Sequence, residues 1–267
     1  MKWLFTDFDN TVEIPADHET TEKNFEFLKK WNEAGNRVVF ASGRPVEMLE
    51  KSSKDAGLES EYFISNNGAY TYDKHLKKLD QVFISSEHRS DMLKILNDEA
   101  AKGACIIYIL PNGRQGYSYI DIKNYPYGGF EKVKDFFFPN GINEQNKEKD
   151  ILENKELLSI YFLGNLEFDF EGVAKKFDGF KNIRAIRTAP VILEIVPYNV
   201  SKARGIEIIS KLHNIDTKDI YTSGDGDNDK EMLENYDNSY AMNHGTDVAK
   251  KSAKNIITHL YDLEKFK

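Results

Sequence analysis

The feature that most constrains the fold is an alternation of strand-like and helix-like segments over residues 1–80. Apolar, strand-like runs occupy Lys2–Phe8, Arg37–Ala41 and Tyr62–Ser65. Between them, one helical pattern begins at Thr20 or Thr21 and stops at Gly35, and a second begins at Pro45 and stops at Gly57. This β-α-β-α-β order predicts parallel strands joined by right-handed crossovers, and therefore an α/β fold with a Rossmann-like core.

The alternation returns near the other end of the chain. We predict helices at 201–213, 230–235 and 247–251 and strands at 219–223 and 239–242. Between Val82 and Ile195 the pattern changes, because strand-like runs follow one another with few helices. There we predict helices at 87–102 and 170–177, strands at 105–110, 117–122, 158–163, 184–188 and 191–196, and a loop at 140–154. Such an order indicates an inserted α+β domain with an antiparallel sheet. The predicted domains are a core formed by 1–81 and 191–267, and an insert formed by 82–190.

Composition excludes several functional classes. The chain has 267 residues with 36 basic and 44 acidic side chains, a net charge of −8, which argues against a nucleic-acid partner. The longest apolar runs, such as Ile106–Leu110, fall far short of the roughly 20 residues that a membrane-spanning helix needs. Asp7 makes the start of the chain unlike a secretion signal, and the single Cys105 excludes an internal disulfide. We therefore expect a cytoplasmic protein that binds neither nucleic acid nor membranes, and the sequence does not determine its oligomeric state.

Polar residues follow the predicted core strands. In an open parallel sheet, ligands bind at the carboxyl ends of the strands. The residues at those ends are Asp7 and Asp9, then Ser42, Gly43 and Arg44, then Asn67 and Gly68, and finally the run Gly224–Asp229, while Lys202 lies at the start of a late helix. Their shared position predicts that they meet at one edge of the sheet.

Asp7 and Asp9 are two residues apart at a strand end, so both side chains can point to the same side. Two close carboxylates repel each other, which raises the pKa of one of them. A hard divalent cation with oxygen ligands relieves that repulsion, and Mg²⁺ is the ordinary intracellular choice. The competing interpretation is that one aspartate caps a helix and the other occupies a turn.

The run Gly224–Asp229 has several interpretations. It places aspartates at the first, third and fifth positions of a calcium-binding loop, but Lys230 stands where that loop needs glycine and Tyr236 where it needs glutamate. It also lacks the third glycine of a dinucleotide-binding loop. Two interpretations of the run remain: an acidic turn, or a metal-binding loop that faces Asp7.

Ser42 and Lys202 would supply the hydroxyl donor and the cation that a bound phosphate needs. Taken alone, a serine before a glycine is also typical of a turn, and a lysine is also typical of a solvated surface.

Taken together, these motifs resemble those of the haloacid dehalogenase superfamily of phosphotransferases. Asp7-Phe8-Asp9-Asn10-Thr11 is similar to its first motif, Ser42 to the second, Lys202 to the third and Gly224–Asp229 to the fourth. The insert follows Asn67-Gly68-Ala69, between the second and third motifs, which resembles the Cof-type (IIB) branch with a C2 cap domain. The chain departs from the family pattern in having Asn10 in place of glycine, Val12-Glu13 in place of Leu-Leu, and Asn243 and His244 in a late loop.

The resemblance implies a role for each motif residue. Asp7 would be the nucleophile that forms an aspartyl-phosphate, and Asp9 would protonate the leaving oxygen and then activate water. Lys202 would neutralise the phosphoryl group and Ser42 would donate a hydrogen bond to it, with Arg44 and Asn67 as further substrate contacts. The implied ligands of Mg²⁺ are Asp7, Asp9 through its backbone carbonyl, Asp225, Asn228 and Asp229. The cap would act as a lid that excludes water and selects the substrate.

The resulting hypothesis is a Mg²⁺-dependent phosphatase of small phosphorylated metabolites, such as sugar phosphates. A phosphomutase of the same superfamily and a non-catalytic module that binds phosphorylated metabolites are the alternatives. The presence of both Asp7 and Asp9 argues against a module without turnover.

Overall fold

A computed structural model describes residues 1–15, 17–126 and 128–266. The chain forms two compact units, one made of Met1–Gln81 with Val200–Lys267 and the other of Val82–Asn199. The predicted domain boundary between residues 190 and 191 is therefore wrong. The strand Ile192–Pro197, which that boundary assigned to the core, pairs with strands of the second unit.

The strands, in chain order, are β1 Trp3–Thr6, β2 Arg37–Ala41, β3 Tyr62–Ser65, β4 Tyr70–Asp73, β5 Lys78–Gln81, β6 Cys105–Leu110, β7 Gly113–Ser118, β8 Ser159–Leu163, β9 Ile183–Ala189, β10 Ile192–Pro197, β11 Ile220–Gly224, β12 Asn238–Met242 and β13 Asn255–Ile257. The α-helices are α1 His18–Glu33, α2 Val46–Asp55, α3 Arg89–Ala101, α4 Lys134–Phe137, α5 Lys147–Glu153, α6 Phe170–Lys175, α7 Lys202–His213, α8 Lys230–Glu234 and α9 Asp247–Ser252. Among the described residues, none of these helices combines the length and the apolar composition that crossing a bilayer requires.

The first unit is built on a sheet with the strand order β13-β12-β11-β1-β2-β3-β4-β5. The strands from β13 to β3 run parallel, and β4 and β5 extend the sheet as an antiparallel pair. Every residue of β1, β3 and β11 is buried, as expected for strands covered on both faces. The predicted α/β class with a parallel core sheet is confirmed.

The second unit contains an antiparallel sheet with the order β7-β6-β8-β10-β9, which confirms the predicted α+β insert. The stretch predicted as a loop, 140–154, contains helix α5. This helix has seven residues, too few for a clear periodicity, and its Ile151 is completely buried. Strand β7 also begins earlier than predicted, because a tight turn after Leu110 leads directly back to Gly113.

Candidate active site

Asp7 is placed by the central strand of the core sheet. Its backbone N–H donates to the carbonyl of Ser223, at 2.8 Å, and so continues the ladder between β1 and β11 by one residue. The Asp7 side chain is buried, and its Oδ1 accepts a hydrogen bond from the Lys202 ammonium at 2.5 Å. Its other oxygen, Oδ2, lies 3.4 Å from the Thr11 hydroxyl. One carboxylate oxygen is therefore held firmly and the other only weakly.

Lys202 is completely inaccessible to solvent at the first turn of α7. Its Nζ lies 2.5 Å from Asp7 Oδ1 and 2.5 Å from Asp229 Oδ1. Burial alone would lower the pKa of Lys202, but attraction to Asp229 and Asp7 and the two hydrogen bonds outweigh it and raise the pKa. The side chain is thus a permanent buried cation.

Asp229 stabilises the conformation of the loop after β11 and also binds Lys202. Its Oδ2 accepts hydrogen bonds from the backbone N–H groups of Asp225 and Gly226, each at 2.9 Å. A Cβ atom on Gly224 would lie only 2.4 Å from Asp229 Cγ, so the turn needs a residue without a side chain there. Asp229 therefore connects the fourth motif to Lys202.

Three carboxylates converge at this edge of the sheet. Asp7, Asp225 and Asp229 each offer an oxygen atom, and these atoms lie within 4.8 Å of one another. Burial is the main cause that raises the pKa of Asp7 well above its ordinary range, and Asp229, Asp225 and Asp9 add repulsion against the opposing attraction of Lys202. Burial, followed by repulsion from Asp229, raises the pKa of Asp225 to about 6.

The Lys202 ammonium thus faces three carboxylates, and the pKa values of two of them, Asp7 and Asp225, are raised. The donor set is composed of oxygen atoms, the ligands that hard divalent cations prefer. The residues present therefore fit a bound divalent cation, whose charge would allow Asp7 and Asp225 to ionise together.

Asp9 and Arg44 form an ion pair beside this cluster. The Asp9 side chain is 48% exposed, and Arg44 Nε donates to both of its oxygens at 3.0 and 3.1 Å. The Ser42 hydroxyl lies 3.4 Å from Asp9 Oδ2 and accepts a hydrogen bond from the Arg44 N–H at 3.1 Å. Arg44, predicted as a substrate contact, is here bonded to Asp9 and to Glu13.

Asn67 and Asn228 contact each other. The Asn228 side-chain amide donates to Asn67 Oδ1 at 2.9 Å, although Asn228 was predicted as a metal ligand and Asn67 as a substrate contact. Asn67 is buried with a left-handed backbone, and its N–H donates to the Ser42 carbonyl at 2.9 Å. The pair links the loops that follow β2, β3 and β11.

The structure also places Thr11 and His244 beside the site, although the motifs assign neither of them a role. The Thr11 hydroxyl lies between Asp7 Oδ2 and Asp225 Oδ1, at 3.4 and 3.5 Å. A ring nitrogen of His244 lies 2.8 Å from the carbonyl of Asn10, which has a left-handed backbone. Two features of the sequence could have pointed to these residues. Thr11 lies inside the first motif, and His244 is an unusual residue at its position.

The chain is similar to known proteins along nearly its whole length. The sequence profile described as haloacid dehalogenase-like hydrolase matches residues 4–262. The chain is 27% identical to a Mycoplasma genitalium protein named "Putative phosphatase MG265", over 95% of this chain and 91% of that one. It is 22% identical to Phosphatase YwpJ of Bacillus subtilis, over 95% of this chain and 93% of the other.

Two solved structures illustrate the shared fold. BT1666 from Bacteroides thetaiotaomicron, described among phosphatases of the same superfamily, superimposes with a TM-score of 0.81 at 21% identity, covering 100% of this chain and 95% of that chain. BT4131, described as a subclass IIB sugar phosphatase, superimposes with a TM-score of 0.76 at 20% identity, covering 100% of this chain and 99% of that chain.

Proposed function

The chain belongs to the haloacid dehalogenase-like hydrolases, and on that premise we propose that it is a Mg²⁺-dependent phosphatase of small phosphorylated metabolites that works through an aspartyl-phosphate on Asp7. The observation that carries the proposal is the buried arrangement of Asp7, Lys202 and Asp229 beside Asp225. The names of the curated relatives support phosphatase activity, and the likeness to BT4131 supports sugar phosphates as substrates. The acidic chain and its one cysteine, which is buried, support the cytoplasm as the place of action.

The first half-reaction is transfer of the phosphoryl group to Asp7. Lys202 holds Asp7 Oδ1 at 2.5 Å, so the more weakly held Oδ2 is the oxygen that attacks phosphorus. As the new oxygen–phosphorus bond forms, the bond from phosphorus to the substrate oxygen breaks, and Asp9 gives its proton to that leaving oxygen. Ser42, beside Asp9, donates a hydrogen bond to the transferred group.

The second half-reaction returns the enzyme to its starting state. Asp9, now ionised, accepts a proton from a water molecule that attacks the phosphorus of the aspartyl-phosphate. The bond between phosphorus and Asp7 breaks, phosphate leaves, and Asp7 becomes a carboxylate again. Lys202 stays beside Asp7 throughout and balances negative charge on the transferred group.

Asp7 and Asp225, with the backbone carbonyl of Asp9, would hold the Mg²⁺. Asp229 contributes to the negative charge of the site, and Asn228 supports the loop through Asn67. When bound, Mg²⁺ supplies Lewis-acid polarisation of the phosphoryl oxygens and offsets the repulsion between the substrate and the carboxylates.

A panel of phosphorylated metabolites together with p-nitrophenyl phosphate tests the proposal. We expect phosphate release in the presence of Mg²⁺ and its loss on chelation, and we expect Mg²⁺ to raise the melting temperature of the wild type but not of Asp225→Asn. Binding of phosphorylated compounds without turnover would instead indicate a binding module. Transfer of the phosphoryl group to a second hydroxyl, seen in the products, would indicate a phosphomutase.

A further inference from the structure

The Arg44 guanidinium is shared between two carboxylates. Its Nε and Nη2 contact Asp9, with an Nη2 to Oδ1 distance of 2.5 Å, and Nη2 also donates to Glu13 Oε2. The Arg44 Cζ lies 4.7 Å from the centre of the Phe8 ring, so one face of the guanidinium rests on an aromatic side chain. The three charged side chains form a chain of contacts, Glu13–Arg44–Asp9, in which only Asp9 has a proposed role in the chemistry.

The backbone places the two acids side by side. Asp9 and Glu13 are bridge partners, and the Asn10 N–H donates to the Glu13 carbonyl at 2.8 Å. The Val12 and Glu13 N–H groups both donate to the Phe8 carbonyl at 2.9 Å, which closes the turn. Asn10 has the left-handed backbone that such a tight turn requires, at a φ of 57°. Glu13 therefore reaches Arg44 from a defined position next to Asp9.

The backbone of Arg44 is also held at both ends. Its N–H donates to Ser42 Oγ at 3.1 Å, and its carbonyl accepts from the Asn66 N–H at 3.1 Å. Only the direction of the Arg44 side chain is left open, because a long arginine side chain can adopt many rotamers. Two carboxylates that bind one planar guanidinium restrict its orientation more than one carboxylate does.

We propose that Glu13 is a positioning residue, which holds Arg44 so that the Asp9 carboxyl stays in place to deliver its proton to the leaving oxygen. The inference rests on the proposed function, because Asp9 has a proton to deliver only if the protein cleaves a phosphoester. Glu13 does not touch the reacting atoms in this account and acts only through Arg44.

The dependence of the rate on the leaving group separates this role from general support of the fold. An alkoxide leaving group needs the proton from Asp9 in the transition state, whereas p-nitrophenolate is a stable anion and leaves without it. The ratio kcat/KM covers only the steps up to departure of the leaving group. A misplaced Asp9 therefore lowers kcat/KM for an alkyl phosphate more than for p-nitrophenyl phosphate, while general damage lowers both equally.

The experiment compares Glu13→Leu and Glu13→Gln with the wild type on both substrates in Mg²⁺, with the alkyl phosphate taken from the wild type's own panel. Glu61→Leu is the control, because it also removes a carboxylate from an arginine, Arg37 at 3.6 Å. For Glu13→Leu we expect kcat/KM to fall about tenfold on the alkyl phosphate and to stay within about twofold on p-nitrophenyl phosphate.

Glu13→Gln keeps the size of the side chain and a hydrogen-bond acceptor. We therefore expect its kcat/KM on the alkyl phosphate to lie between the values for Glu13→Leu and the wild type. If Glu13→Leu does not fold, Glu13→Gln alone provides the test. Glu61→Leu should leave the ratio between the two substrates unchanged. An equal loss on both substrates, or no loss on either, would overturn the role of Glu13 while leaving the phosphatase intact. Absence of turnover by the wild type itself would overturn the proposed function.

Discussion

Lys202 and Asp229 are both completely inaccessible to solvent, and their charged atoms lie 2.5 Å apart. One residue begins α7 and the other ends the loop after β11, so this ion pair joins two parts of the core at the site. Asp229 also accepts two backbone hydrogen bonds from its own loop. A buried charge pair is stable only when its remaining hydrogen-bonding groups are satisfied, and here Asp7 satisfies the other side of Lys202.

Removal of the ammonium should therefore destabilise the protein. Lys202→Met leaves two buried carboxylates without their cation, and we expect the free energy of unfolding to fall by about 3–5 kcal/mol. Lys211→Met, on the same helix with a side chain that is 81% exposed, is the control and should change it by no more than about 0.5 kcal/mol. Urea unfolding followed by circular dichroism measures both. Equal stability of the two variants would contradict the role given to Lys202.

Gly68 permits the close approach that places Lys202. It has a φ of +95°, and a Cβ atom there would lie 2.0 Å from the Ser201 carbonyl oxygen, at the start of α7. Gly35 has a similar φ of +83° with nothing within 4 Å of such an atom. We expect Gly35→Ala to lose only about 1–2 kcal/mol of stability from backbone strain and to keep its activity.

Gly68→Ala bears the same strain and must also move α7, so we expect a larger loss of stability and a fall in kcat with any substrate. Thermal unfolding and steady-state kinetics on the two variants check this. If Gly68→Ala and Gly35→Ala have the same stability and the same kcat, the close approach of Gly68 to Ser201 is not needed to place Lys202.

The pKa of Asp225 predicts how the stability of the metal-free protein depends on pH. Its carboxyl has a pKa of about 6 in the fold against an ordinary value of 3.8, mainly because of burial and then repulsion from Asp229. The folded state therefore binds this proton more tightly than the unfolded state, and stability is lost as the pH rises from about 4 through about 6.

Asp225→Asn removes that loss. In the presence of a chelator we expect the variant to exceed the wild type in free energy of unfolding by about 3 kcal/mol above pH 7, and to match it near pH 4. Urea unfolding across this pH range provides the measurement. A wild type that is more stable than Asp225→Asn at neutral pH without metal would show that the carboxylate is already balanced by the protein.

The sequence predicted the fold class because the core strands are continuous apolar runs, and the bounds of β2, β3 and β6 agree with the prediction. It missed β4 and β5, since Tyr70–Asp73 and Lys78–Gln81 contain several polar residues and form no continuous apolar run; β5 is the edge strand of the sheet. Helix α5 was missed because its seven residues give too short a pattern.

At the site, the order of the motifs was enough to predict that Asp7, Lys202 and Asp225 lie at one sheet edge, because the carboxyl ends of parallel strands share an edge. The choice of side-chain partners was not predictable. Whether Arg44 points to a substrate or to Asp9 and Glu13 depends on how the turn after β1 folds back, and that depends on single backbone hydrogen bonds such as Asn10 to Glu13.

The most direct test of the central claim is to look for a phosphoryl group on Asp7. Wild type and Asp9→Asn are mixed with substrate and Mg²⁺, quenched in acid, digested and analysed by mass spectrometry. We predict a peptide phosphorylated at Asp7, accumulating more in Asp9→Asn because the water in the second half-reaction lacks its base. We also predict no turnover by Asp7→Asn, which should remain folded. Turnover by Asp7→Asn at the wild-type rate, with no phosphorylated Asp7 in either protein, would contradict the account.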